Sequence, residues 1–351
     1  MNAGGIDDCG LNPGGWDNGP AVKKDNGLRP PVIFSPANPD RAHHVPPEAI
    51  LVGYRGSIAH GMFVPSTDPK SVDDVDLMGI TVPGPEYYLG LQNWGSRGTK
   101  EIWEEPYDAV YYEIRKMFGL LLQGNPNVLS FIWMRPGDYL VYDPLGAKIV
   151  AARDLFTGKH VYHAFAGYAS AQLQKMTSRE PASVREYLGV TYELKRRGIH
   201  PTDQTIPESM YADLQAGDYT NCADWGSDKL LQRLKSFQKK GENLGYLGDK
   251  RKRLVLEHGY DCKNAAHCVR LLTMCCEFLC DGMMQVNREG IDADVLLAIK
   301  RGEWTLEAVK ETAENLFENA KRLYEASTLP DEPDHAGAER LLVEIVRERL
   351  K

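Results

Sequence analysis

GSIAHG (Gly56–Gly61) and SVDDVDLMG (Ser71–Gly79), which follows it closely, are the stretches that decide the fold of this 351-residue chain. The apolar run Val75–Val82, closed by a Pro-Gly-Pro sequence, predicts a β-strand. Alternate residues of a strand share one face, so Asp74 and Asp76 are expected to point the same way. The apolar residues between and after them would then face a core.

This pair of carboxylates predicts a metal site. Two carboxylates a few Å apart repel each other unless a cation lies between them. Mg²⁺ prefers oxygen ligands and typically combines one or two carboxylates with the phosphates of a substrate. Gly56 and Ser57 are expected to cradle these phosphates, because glycine allows a close backbone approach and the serine hydroxyl and amides can donate to phosphate oxygens.

A two-metal reaction centre needs a third carboxylate. Asp108 is the preferred candidate because it begins the predicted strand 108–112. Position alone does not separate it from four rivals, which are Glu101, Glu104, Glu105 and Glu113.

Composition limits the protein class. Asp and Glu outnumber Lys and Arg 49 to 41, giving a net charge of −8, which argues against a protein that coats nucleic acid through bulk charge. No apolar run reaches the length of a membrane span, and the first ten residues lack the pattern of a signal peptide. We therefore expect a cytoplasmic protein without a membrane partner, and the sequence indicates no obligate protein partner.

The chain is expected to have an α+β fold, with a small mixed-sheet domain followed by a larger all-helical domain. Residues 1–46, rich in Gly and Pro, predict an irregular arm; 47–150 predict the catalytic domain; and 151–351 predict a helical domain that closes a cleft and selects the acceptor. Helices are predicted over 114–122, 164–176, 183–197, 228–239, 262–286, 293–301, 306–326 and 336–350.

The predicted helix 262–286 carries basic and cysteine residues in an apolar setting. Lys263, His267 and Arg270 are spaced to form one line along it. Basic groups on a buried helix need anionic partners, which are either structural acids or the phosphates of a nucleotide. The cysteines of this helix, Cys268, Cys275, Cys276 and Cys280, together with Cys262, are expected to be reduced and buried.

Other polar residues are secondary candidates. His60 and Lys116 are candidates for phosphate contact, although a lone histidine is more often structural. The basic run 250–253 and a polar stripe at helical spacing over 168–175 are candidates for contact with an acceptor. A basic run is, however, usually a solvated face, and helix amphipathicity alone explains a polar stripe. The candidate acceptor-binding residues are Lys250, Arg251, Lys252, Arg253, Tyr168, Gln172 and Lys175.

A Gly-Ser pair followed by Asp-x-Asp resembles the nucleotidyltransferase core of the DNA polymerase β superfamily, which includes kanamycin nucleotidyltransferase and poly(A) polymerases. More narrowly, the chain resembles the RlaP family of predicted nucleotidyltransferases associated with RNA repair. One departure is the stretch Met62–Ser71, which is longer than that pattern expects. The resemblance extends from about residue 50 to 335 and rests on GSIAHG, DDVDLMG, YDAVYYEIRKMFGLLLQGNPNVL, GYASAQLQKM, KRKRLVLEHGYDCKNAAHCVRLLTMCCEFL, DADVLLAIKRGEWTLEAV and STLPDEPD.

The resemblance implies transfer of NMP from an NTP to an acceptor hydroxyl, with release of pyrophosphate. It implies two Mg²⁺ or Mn²⁺ ions on Asp74, Asp76 and Asp108, and an RNA end as the acceptor. Two alternatives stay open: nucleotidylation of a protein or small molecule, and a non-catalytic nucleotide-binding module.

Overall fold

The structure is a computed structural model that describes residues 45–64, 75–104, 107–177, 180–199, 222–239 and 248–351. Residues 1–44 of the predicted arm therefore lie outside the described part of the chain. The same holds for Asp74, the first acid of the Asp-x-Asp pair, and for Glu105.

Five strands form one mixed sheet in the order β3-β4-β2-β1-β5. The pair β2 and β4 is parallel, and the other neighbouring strands are antiparallel. The strands predicted over 75–82 and 108–112 are confirmed as β2 and β4, whereas β5 was not predicted from the sequence. The strands are β1 (Ala49–Tyr54), β2 (Val75–Thr81), β3 (Thr99–Glu104), β4 (Tyr107–Glu113) and β5 (Tyr139–Tyr142).

The described residues after β5 form helices without a further strand, so the predicted fold class is confirmed. The helix predicted through Val286 ends earlier, at Asp281, because Gly282 adopts a left-handed φ of 67° that terminates it. The helices are α1 (Gly56–Ala59), α2 (Pro85–Tyr88), α3 (Ile114–Leu122), α4 (Pro126–Leu129), α5 (Pro144–Ala151), α6 (Val161–Thr177), α7 (Pro181–Arg196), α8 (Ser227–Lys239), α9 (Asp249–His258), α10 (Cys262–Asp281), α11 (Ala293–Lys300), α12 (Leu306–Ala326) and α13 (His335–Arg349).

The chain divides into two compact units. The first contains the described residues up to Ala169, together with Val269–Leu297 and Thr312–Lys351, and the second contains Ser170–Cys268 and Ala298–Glu311. The predicted division into functional domains at 46 and 150 stays a prediction. None of the helices in the described ranges is both long and apolar enough to cross a lipid bilayer.

In the first unit, one face of the sheet is covered by apolar side chains. Strand alternation directs Leu77 and Ala109 to this face and Asp76 and Asp108 to the other. Tyr111 also lies on the covered face, and its ring is so close to Gly79 that a side chain there would collide with it. The buried core cluster on this face consists of Val52, Val75, Leu77, Trp94, Ala109 and Tyr111.

In the second unit, helices α7, α8 and α9 supply the core. On α7 and α8 apolar residues recur at the three- and four-residue spacing that forms a buried stripe, and α9 contributes Val255. The buried cluster consists of Val184, Tyr187, Leu188, Val190, Leu194, Cys222, Leu230, Leu234, Phe237 and Val255.

The cysteines of α10 are mostly core thiols. Cys262, Cys268, Cys275 and Cys276 are buried and free, as predicted. Burial raises the pKa of the Cys276 thiol to about 12, so it stays protonated at neutral pH. Cys280, however, is disulfide-bonded, so the expectation of a reduced thiol is wrong at this position.

A buried arginine fixes the segment after α10. Arg288 is fully buried and donates to both oxygens of Glu277, at 2.6 and 2.8 Å, and to both oxygens of Asp292, at 2.7 and 2.9 Å. Its backbone N–H donates to the carbonyl of His60 at 3.1 Å. The ion-pair network therefore holds this segment against the end of the GSIAHG stretch.

Replacing Arg288 with Met is expected to destabilise the protein by about 3–5 kcal/mol, because Glu277 and Asp292 would stay buried without their cation. Arg135→Met is the matched control: Arg135 is largely exposed and pairs with Asp138 at 2.9 Å, so its loss should cost no more than about 1 kcal/mol. Urea unfolding of both variants measures the difference. Equal losses would contradict the assigned role of Arg288.

Candidate active site

The Gly-Ser turn lies directly against Asp76. Gly56 follows β1 with a left-handed φ of 61°, a conformation that favours glycine. A Cβ at this position would collide with the carboxylate of Asp76. The preceding Arg55 N–H donates to the carbonyl of Asp76 at 2.9 Å, and Ser57 is the second residue of the single-turn helix α1. Glycine is therefore required for this close approach.

Asp76 and Asp108 are direct neighbours on adjacent strands. They occupy paired positions in the parallel register of β2 and β4, so their side chains share one face of the sheet. Both side chains are partly exposed, at 28% and 44%. Further along β2, Met78 and Ile80 on the same face are buried. The two carboxylates therefore lie at the end of the sheet where this face is open.

Arg55 lies between the two carboxylates, a position that the sequence analysis missed. Its Nη2 donates to Asp108 Oδ2 at 3.1 Å and lies 3.6 Å from Asp76 Oδ1. The repulsion between the neighbouring acids is thus offset by one guanidinium. The sequence signal that could have indicated Arg55 is its place immediately before the Gly-Ser turn.

Glu113, the nearest rival of Asp108, lies at the other end of β4 and on the opposite face. It pairs with Thr81, five residues along the strand from the Asp76–Asp108 pair, or about 16 Å at the rise of a strand. Its carboxylate caps α3 by accepting the N–H of Lys116 at 3.3 Å, and it also accepts from the Tyr88 hydroxyl at 3.0 Å.

Lys116, a candidate for phosphate contact, lies in α3, beyond the end of β4 that is opposite to Asp108, and its role stays a prediction. Of the other rival acids, Glu101 is exposed and pairs with Val110, so it lies on the Asp108 face. The Glu104 side chain and the whole of Glu105 lie outside the described part of the chain.

His60 and Arg270 are brought together, and both are buried. Arg270 Nη1 lies 2.5 Å from His60 Nε2, and His60 Nδ1 lies 2.8 Å from the carbonyl of Val286. A guanidinium can only donate, so Nε2 accepts and Nδ1 donates. Burial, together with the nearby Arg288 guanidinium, lowers the pKa of Arg270 to about 9. Their contacts tie the GSIAHG stretch to α10, and their predicted role as nucleotide ligands stays a prediction.

The basic groups in the second unit have varied surroundings. Arg251 of α9 lies 3.7 Å from Asp261. Lys252 is buried, with its ammonium 5.5 Å from the centre of the Tyr187 ring, and Arg253 is exposed. The Lys250 side chain lies outside the described part. The run Lys250–Arg253 is therefore not one solvated face.

Lys263 and His267 lie half-buried on α10, on the same helix as Arg270, as predicted. The α6 residues also differ from one another: Tyr168 and Lys175 are exposed, whereas Gln172 is buried. The Tyr168 hydroxyl accepts from Asn125 Nδ2 at 2.9 Å. The roles predicted for these residues stay predictions.

Among the described residues, no group of three or more His, Cys, Asp or Glu side chains is arranged to hold a metal ion. The predicted set of Asp74, Asp76 and Asp108 is only partly visible, because Asp74 lies outside these residues. The metal ligands therefore stay a prediction, with the Asp76–Asp108 pair as their described part.

A mixed sheet carrying two neighbouring acids beside a Gly-Ser turn, followed by helices, is consistent with a polymerase-β-type nucleotidyltransferase domain and a helical region. Residues 38–197 match the model of a family described as "RlaP: RNA repair pathway DNA polymerase beta family". This match covers 160 of the 351 residues. It confirms the resemblance for that part of the chain and supports nucleotidyltransferase activity in general.

Neither the search of curated proteins nor the search of solved structures gave a significant match.

Gly56→Ala is expected to destabilise the protein by at least about 1 kcal/mol, because a left-handed φ is unfavourable for alanine and its Cβ would displace Asp76. Gly119→Ala is the matched control: Gly119 lies in α3 with open space around it, so alanine should be neutral or stabilising by up to about 1 kcal/mol. Thermal unfolding compares the two. A Gly56→Ala variant as stable as the wild type would contradict the described turn.

Proposed function

We propose that this protein is a metal-dependent nucleotidyltransferase that transfers NMP from an NTP to an RNA end and releases pyrophosphate. The observation that carries the proposal is the pairing of Asp76 with Asp108 on parallel strands, with Gly56 against Asp76. Two neighbouring carboxylates repel each other, so their pairing at the open end of a sheet face favours a site that binds a cation.

Gly56 and Ser57 would bind the triphosphate. The glycine lets the backbone approach phosphate oxygens closely, and the serine hydroxyl can donate to them. Because Gly56 lies against Asp76, a phosphate held there is next to the carboxylates. This proximity fits a site that binds phosphate and cation together.

Asp76 and Asp108, with Asp74, would hold Mg²⁺ or Mn²⁺. Their oxygens are the hard donors that these ions prefer, and their partial exposure leaves room for substrate phosphates as further ligands. When bound, the ions would supply charge stabilisation at the reacting phosphate. The sheet would fix the positions of the carboxylates before substrate arrives.

In the proposed reaction, the acceptor hydroxyl oxygen forms a bond to the α-phosphorus. The bond from the α-phosphorus to the bridging oxygen breaks, and pyrophosphate leaves. Asp108 would take up the hydroxyl proton. Glu113 is unsuited to this role, because its carboxylate caps α3 at the other end of β4.

Arg55 would act as a phosphate ligand when substrate binds. Without substrate it neutralises Asp76 and Asp108, and a cation entering between the carboxylates would release it. Its Nε is buried, with no hydrogen-bond partner among the residues that the structure describes, so it retains a donor for a phosphate oxygen. Arginine suits phosphate because its donors form a planar fork.

Transfer to a protein or small molecule is the second candidate, and the net charge of −8 favours it. A polyanionic acceptor is repelled by an acidic protein unless local basic groups compensate. The chemistry at Asp76 and Asp108 would be the same.

Asp108→Asn is expected to lower nucleotidyl transfer by about a hundredfold or more, because it removes a proposed metal ligand and the acceptor of the hydroxyl proton. Glu101→Gln is the matched control, since Glu101 is exposed on the same sheet face but is not paired with Asp76. The assay uses α-labelled NTPs, Mg²⁺ and a panel of RNA ends, DNA ends, proteins and small molecules. An Asp108→Asn variant that transfers normally would refute the mechanism. NTP binding without transfer to any acceptor would favour a non-catalytic module.

Mg²⁺ binding can be tested without activity. Arg55→Met removes the guanidinium between Asp76 and Asp108, so the variant should be less stable than the wild type and should gain more stability on addition of Mg²⁺. At a hundredfold excess over Kd the gain is about 2.7 kcal/mol. The control Arg55→Met/Asp108→Asn should gain little. If Mg²⁺ stabilises the control as much as Arg55→Met, the ion binds elsewhere.

A further inference from the structure

Trp103 extends the row of Asp76 and Asp108 by one strand. In the antiparallel pair of β3 and β4, Trp103 lies directly opposite Asp108, and directly paired residues share a face. The row across the sheet is therefore Asp76, Asp108 and Trp103. β3 is the edge strand of the sheet, so the indole lies at the outer end of this row.

The Trp103 side chain is 79% exposed. Its strand neighbour Ile102 points to the covered face and packs on the core cluster there. Another indole of this unit, Trp94, is buried in that same cluster, with Lys100 Nζ 4.5 Å from its ring centre. Trp103 is thus a large aromatic group presented to solvent beside two carboxylates.

The order of groups along the row indicates what would meet the indole. Gly56, the proposed phosphate ligand, lies against Asp76 at one end, and Trp103 lies beyond Asp108 at the other. Neighbouring strands are about 4.8 Å apart, so Trp103 is one strand beyond Asp108. Suppose that the terminal nucleotide of an acceptor has its hydroxyl at Asp108 and its sugar and base directed away from the triphosphate. Its base would then lie at Trp103.

We propose that Trp103 is the stacking platform for the terminal base of a single-stranded RNA acceptor, an inference that rests on the proposed function. Indole faces stack on nucleobases of any identity, so the platform would select an unpaired end without selecting its sequence. A protein or small-molecule acceptor has no base for this position. The platform therefore favours a nucleic-acid acceptor over the second candidate.

The test measures RNA binding by the full-length protein without NTP, using fluorescence anisotropy. Two short single-stranded RNAs are compared: one intact, and one whose 3′-terminal nucleotide lacks its base but keeps its hydroxyls. Trp103→Ala should raise the Kd for intact RNA about tenfold and leave the Kd for the abasic RNA unchanged. Trp103→Phe should bind nearly as the wild type does.

Tyr142→Ala is the control, since Tyr142 is a partly exposed aromatic residue on the opposite edge strand, and it should bind intact RNA as the wild type does. The proposal is overturned if Trp103→Ala binds intact RNA normally, or weakens both RNAs equally. It is also overturned if Trp103→Ala weakens NTP binding instead, which would place the base of the NTP on the indole.

This test is separate from that of the transfer chemistry, because binding needs no turnover. A terminal-base effect at Trp103 without transfer would contradict the proposed reaction alone. Normal transfer to RNA with no terminal-base effect would contradict the platform alone.

Discussion

The parallel pairing of β2 with β4 is the interaction on which the candidate site depends. This register brings Asp76 beside Asp108. A shift by one residue would move one carboxylate to the face covered by Val52, Leu77 and Tyr111, where an unpaired charge is costly. The apolar residues on the covered face therefore hold the acids in register on the open face.

Buried polar and charged groups stabilise the structure around the site. Arg288 binds two buried acids and the carbonyl of His60. His60 in turn accepts from Arg270 and donates to Val286. These contacts hold the GSIAHG stretch from its far end, while Gly56 and Arg55 at its near end lie against Asp76. The turn is thus fixed on both sides before any substrate binds.

Local sequence patterns predicted much of the fold. Hydrophobic patterns indicated the strands β2 and β4, and they indicated the bounds of α12 at Leu306–Ala326. The short β5 and α5 were missed, since four to eight residues carry little periodicity. The Asp-x-Asp pattern indicated Asp76 because both the strand and its alternation are local properties.

Contacts between distant segments could not be predicted in this way. Asp108 and Glu113 lie near opposite ends of one strand, and its register with β2 decides which of them lies beside Asp76. The contact between His60 and Arg270 joins residues 210 positions apart. Arg55 and Trp103 belong to no motif. Arg55 is located by its contacts with Asp76 and Asp108, and Trp103 by its pairing with Asp108 across the sheet.

The central claim, that Asp76 and Asp108 hold the catalytic ion, is tested most directly by a crystal structure with Mn²⁺ and a non-hydrolysable NTP analogue. The account predicts an anomalous peak bonded to both carboxylates, with Arg55 turned from them towards the phosphates. Mn²⁺ bound elsewhere, with Arg55 still between Asp76 and Asp108 while the nucleotide is present, would contradict it.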